Sequence, residues 1–186
     1  MAQVRNIRPG YTVIHPSRDR AICKLTKLLV VATLLASVAV MLVLTVGGWS
    51  KLQGMKPLNF IWSAAYVVMA VYIWRWARGL LPIAAVLAVL LLIIAVIAAA
   101  GLDGTSWFDR TGSAYAAPQS LFGGNGLTPD TLGTLTVVLA GVQLALIVTT
   151  IVGFAQRWNV ELEVPEDEAR RRGSTPIARG PQATPA

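Results

Sequence analysis

Four apolar runs free of charged residues divide the chain, at positions 28–46, 57–74, 80–100 and 132–154. Coiled as helices at 1.5 Å per residue they are about 27 to 35 Å long, which matches a hydrocarbon core of about 30 Å. The pattern predicts an all-α integral membrane protein with four transmembrane helices in an antiparallel bundle. The second run is the shortest and holds Ser63 and Tyr66. Its aromatics nevertheless gather at its ends, Phe60 and Trp62 at one and Tyr72 and Trp74 at the other, as interfacial belts do.

Composition agrees: 55% of residues are hydrophobic and only 13% charged, far from the balance of a soluble domain. The formal net charge of +7 is unevenly distributed. Thirteen of the 16 Lys and Arg residues lie in three segments: the amino-terminal 27 residues, the short turn after the second run, and the carboxy-terminal tail. Lys51, Lys56 and Arg110 lie in the other two connections. Cytoplasmic loops retain positive charge, so both termini are expected on the cytoplasmic side of the plasma membrane. The stretch YIWRWARGLLP (72–82) is then a tight cytoplasmic hairpin, with Trp74, Arg75, Trp76 and Arg78 as interfacial anchors and Gly79 with Pro82 dividing two helices. So short a turn cannot carry a nucleic-acid-binding module, and no nucleic-acid partner is expected.

The first run is longer than the apolar stretch of a cleavable signal and follows a long basic segment, so its retention is expected. Ala at position 2 precludes myristoylation. Cys23, the one cysteine, cannot form an internal disulfide or a CxxC redox pair.

Candidate chemistry is sparse. An ionisable side chain inside a span marks function, and none of the four runs contains one. Small multidrug exporters carry a Glu in their first helix, where this chain has only apolar and hydroxyl residues. His15 stands alone beside Pro16, without a second haem or metal ligand. The Cys-rich outer loop of tetraspanins and the W-x-x-C-C signature of claudin-like proteins are also absent. No catalytic, cofactor or metal residue is assigned, and a non-enzyme is expected.

The fourth run carries a geometric pattern. Gly141, Ala145, Thr149 and Gly153 recur every four residues and suggest a small-residue groove for a partner helix, which the third run could complement with Ala84, Ala88, Ala95 and Ala99. Thr136, Gln143 and Thr150 recur every seven residues on roughly the opposite face, as a polar intramembrane contact. The connection at 101–131 is long for a structureless loop and carries Trp107, Phe108, Tyr115 and Phe122, candidates for contact with an outside partner. Thr128, Pro129 and Asp130 read as an N-cap, a first-turn proline and an acid at the positive helix end.

Three parts follow: a basic amino-terminal segment (1–27), a transmembrane domain (28–154) and a tail (155–186) whose composition predicts disorder. The functional expectation is a non-catalytic accessory or scaffold subunit of a membrane complex, with the bilayer and other membrane subunits, or copies of itself, as partners. The alternative is an oligomeric channel or facilitator lined by Thr136, Gln143 and Thr150.

Overall fold

A computed structural model describes residues 10–100, 107–109 and 117–171 of the chain. In order its elements are β1 (Tyr11–Ile14), α1 (Pro16–Asp19), α2 (Ala21–Gly47), α3 (Lys56–Trp74), α4 (Leu81–Ala100), α5 (Pro129–Ala155), β2 (Leu162–Pro165) and α6 (Glu166–Arg171), with three short 3-10 turns between the long helices. Four helices, α2 to α5, are long and apolar enough to cross a membrane.

Helix boundaries follow local chemistry more closely than the charge-free runs do. α2 begins at Ala21, a full turn or more before the apolar run, and includes Lys24 and Lys27. Lysine interrupts hydrophobicity without interrupting a helix, and its flexible stem lets the ammonium reach polar surroundings. α5 starts as its sequence reads. The Thr128 side chain accepts the Thr131 N–H at 3.3 Å, Pro129 occupies the first turn, and Asp130 sits at the positive end of the helix.

The end of α3 differs from expectation. Gly79 does not terminate it; Trp76 does, in the left-handed region at φ 68°. The Trp76 N–H reaches Ile73 O at 2.9 Å and the Ala77 N–H reaches Tyr72 O at 3.1 Å, the paired bonds of a Schellman turn. Glycine is the residue that normally takes this position, since a side chain there costs about 1–2 kcal/mol.

α2 packs against both α3 and α5, while α4 packs mainly against α5; α3 and α4, though consecutive, share little backbone proximity. α4 turns Ala84, Ala88, Leu91 and Ala95 inward, which permits close approach. α3 turns in Ser63, Tyr66, Met69, Ala70 and Ile73, and packs on α2. On α5 the buried positions are Leu132, Thr136, Leu139, Gln143, Leu146, Thr150 and Gly153, at alternating spacings of four and three. That is the seam of helices packed at a shallow left-handed crossing. Large aliphatic side chains such as Ile61, Val86 and Val148 remain exposed on the outer faces, as expected of a surface that meets lipid.

The two ends of the helices are built differently. At one end, β1 pairs antiparallel with β2, from Tyr11 opposite Pro165 to Ile14 opposite Leu162. Ile14, Val164 and Ala169 form a small second core there. The expectation of a disordered tail therefore fails over residues 162–171. Taken alone, that segment cannot bury a core; its hydrogen-bonding partner, residues 11–14, and the Ile14 side chain that packs with Val164 and Ala169 come from the other end of the sequence. Residues 1–9 and 172–186 lie outside the described residues.

At the opposite end, residues 117–128 lie over the last turn of α2. The Leu121 N–H donates to Val46 O at 2.9 Å and the Leu127 N–H to Gly47 O at 2.8 Å. Ser50 Oγ donates to Ala117 O at 2.8 Å and accepts the Gln119 N–H at 2.9 Å. Gly126 is required by this close approach: a Cβ there would lie 2.7 Å from backbone atoms of Gln119 and 2.8 Å from Gly47 O.

Candidate functional site

Three constellations lie outside ordinary apolar packing. The first is at the middle of the helices. Gln143 on α5 is completely buried, and both ends of its amide are engaged. Its Oε1 accepts from the Tyr66 hydroxyl of α3 at 2.9 Å, and its Nε2 donates to Ser37 Oγ of α2 at 2.9 Å. Ser37 Oγ in turn donates to Thr33 O at 2.8 Å. One side chain thus ties three helices, and every polar atom in the chain of bonds is satisfied. Thr136 and Thr150, one heptad to either side, are also buried, but each donates to the backbone of its own helix, at 2.7 Å to Leu132 O and Leu146 O. The expected polar stripe therefore faces the interior of its own chain. A pore between copies would need those side chains on an outer face.

The small-residue stripe does not lie on one face. Successive positions four apart rotate by about 40° around a helix, so three such steps sweep about a third of a turn. Gly141 and Ala145 are exposed, and a Cβ added at Gly141 would meet nothing within 4 Å. Thr149 is intermediate and donates to Ala145 O at 2.8 Å. Gly153 has turned inward, where an added Cβ would lie 3.0 Å from the Trp158 ring and 3.4 Å from Leu81. Gly153 thus serves internal packing and is separated from Gly141 and Ala145. The alanine stripe of α4 also packs within the chain, through Ala84, Ala88 and Ala95.

The second constellation is an aromatic and cationic cluster at the end that carries β1 and β2. Trp76 meets Trp158 edge to face, with centroids 5.4 Å apart. Lys27 Nζ lies 4.6 Å from the Trp74 ring centroid and 4.3 Å from that of Trp76, and donates to Trp74 O at 3.4 Å. Arg18 stands over Trp76 at 5.7 Å and donates through Nε to Trp158 O at 3.2 Å. Burial holds the Arg18 guanidinium below its ordinary range, opposed by the nearby Glu161 carboxylate. Trp158 is fully buried, and its indole N–H donates to Gln156 Oε1 at 2.9 Å; Gln156 Nε2 donates to Thr26 Oγ1 at 2.8 Å. These contacts lock Trp76 into its left-handed backbone. Each cation over an indole contributes about 0.5–2 kcal/mol, enough to offset that strain.

The four expected anchors divide accordingly. Trp74 and Arg75 are exposed, and Trp76 is half-buried in the cluster. Arg78 is engaged, not free: its Nε and Nη2 donate to Phe154 O at 3.0 and 2.6 Å, its Nη1 to Asn159 Oδ1 at 2.9 Å, and its guanidinium lies 4.3 Å from the Phe154 ring. A cation bonded to the Phe154 carbonyl, in the last turn of α5, is a favourable C-terminal cap. Trp158, Lys27, Ser37 and Tyr66 are the site residues that sequence reasoning passed over. A hydroxyl in each of two apolar runs was a signal for the hub, but pairing them with Gln143 needs helix order and rotation.

The third constellation is the far connection. Phe108 is buried and Trp107 packs on the main core, so both serve their own helices. Phe122 is 86% exposed at a turn whose Gly123 and Gly124 take positive φ. Tyr115 lies outside the described residues. No family model, no curated protein and no solved structure matches the chain.

Proposed function

We propose that the protein is a non-catalytic integral membrane subunit, an antiparallel four-helix bundle with both termini cytoplasmic, that serves as an accessory or scaffold component of a larger membrane complex. The observation that carries this reading is the division of labour on α5. Its polar residues are consumed by bonds inside the chain, while Gly141 and Ala145 present bare backbone on the outside. An exposed small-residue surface on a spanning helix is what a neighbouring helix needs for close approach. The orientation rests on charge: Arg18, Arg20, Lys24, Lys27, Arg75 and Arg78 share the end that carries β1 and β2, which should face the cytoplasm of the cell.

Purification in mild detergent tests the role. A heterologous subunit should accompany the wild-type chain and be lost from Gly141→Leu/Ala145→Leu, while unfolding resistance stays unchanged. An isolated monomer, or a complex indifferent to those substitutions, would overturn the proposal.

A further inference from the structure

The cluster around Trp76 brings groups of positive charge together. The charged groups that act on Lys27 are Lys24 and Arg18, both of its own sign, and the carboxylate of Glu161 acts on Arg18. Lys24 lies one turn before Lys27 on α2 and is exposed. Arg75 lies between Trp74 and Trp76 in the sequence, and it too is exposed. Like charges in one place repel, so their grouping calls for a negative partner.

The surroundings say what kind. Beside the cations, on the same two membrane-length helices, Leu25, Leu28 and Trp74 leave about half of their surface uncovered, at 55%, 51% and 53%. In a bilayer that apolar surface is met by acyl chains, which brings lipid phosphates to the level of the cations. A phospholipid covers both, with its phosphate against the cations and an acyl chain along the leucines.

We infer that Lys24, Lys27 and Arg75, at the junction of α2 and α3, bind the headgroup phosphate of an anionic phospholipid whose chain lies against Leu25, Leu28 and Trp74. Lys27 is the fixed member, clamped by two indole faces and the Trp74 carbonyl. Lys24 and Arg75 are the mobile arms that close on the phosphate. The strained Trp76 backbone belongs to the same device, since it points an indole at Lys27 where a glycine could not. The inference rests on the membrane reading alone, and depends neither on orientation nor on an accessory role.

The test uses the full chain in phosphatidylcholine vesicles doped with a small fraction of brominated phosphatidylglycerol or brominated phosphatidylcholine. Trp74 and Trp76 border the site, so lipid bound there quenches tryptophan fluorescence. Quenching by the anionic lipid is expected at a mole fraction more than tenfold lower than by the zwitterionic one. Lys24→Gln and Arg75→Gln should each reduce that preference about fivefold, the equivalent of about 1 kcal/mol per cation near a membrane surface. Lys51→Gln and Lys56→Gln, at the other end of the helices, should leave it unchanged. Equal quenching by the two lipids on the wild-type chain would overturn the inference without recourse to any variant. So would a preference that survives Lys24→Gln/Arg75→Gln. Relief of quenching by excess inorganic phosphate would assign the site to a free anion and refute the lipid.

Discussion

Replacing Gln143 with Leu removes the hub of the central hydrogen-bond network, and the cost can be worked from its partners. Two interhelical bonds disappear, those from Tyr66 and to Ser37. In membranes such bonds contribute about 0.6–1.7 kcal/mol each. Ser37 keeps its bond to Thr33 O and is not orphaned. Tyr66 is fully buried and loses the acceptor of its hydroxyl, a further penalty of about 1–3 kcal/mol. Gln143→Leu should therefore destabilise the fold by about 2–6 kcal/mol, and Tyr66→Phe by about 1–2 kcal/mol. In the double variant the orphaned hydroxyl is gone, so the loss should fall short of the sum of the single losses by about 1–2 kcal/mol. Equilibrium unfolding of the four proteins in mixed micelles, followed by circular dichroism, measures all three terms. Additivity to within about 0.3–0.5 kcal/mol would mean that the two side chains do not share a bond, and the network would be wrong.

Other perturbations separate the inner and outer faces. Gly153→Leu drives a side chain into Trp158 and Leu81 and should destabilise by about 1–3 kcal/mol with a shift in tryptophan emission, whereas Gly141→Leu should stay within about 0.5 kcal/mol of wild type in the same unfolding assay. Ser63 Oγ is buried without a hydrogen-bond partner among the described residues, so Ser63→Ala should be neutral or stabilising by up to about 1 kcal/mol; a clear loss would reveal a partner for it. Truncation after Val160 removes β2 and should abolish slow hydrogen exchange at Tyr11–Ile14 while leaving that of the α5 core intact. In a Cys23→Ser background, Ala117→Cys should react with an impermeant maleimide in intact cells and Glu163→Cys only after lysis; the reverse pattern would invert the orientation.

Hydrophobic runs and helix punctuation are local properties, and those were legible in the chain alone. Spans appear as apolar stretches of bilayer length, and Thr128-Pro129-Asp130 marks a helix start, because each depends on residues a few positions apart. Four membrane-length helices and the start of α5 follow from such signals. Tertiary structure decided whatever depends on rotation and on distant partners. A four-residue repeat looks like one face until its 40° drift is followed, which leaves Gly141 outside and carries Gly153 beneath Trp158. A seven-residue repeat drifts much less, so Thr136, Gln143 and Thr150 stay together on the seam. Residues 162–165 carry too little apolar surface to order themselves and become a strand only because residues 11–14 arrive beside them. Trp76 takes a glycine's backbone because a lysine, an arginine and a second tryptophan hold its ring, and all three come from other parts of the chain.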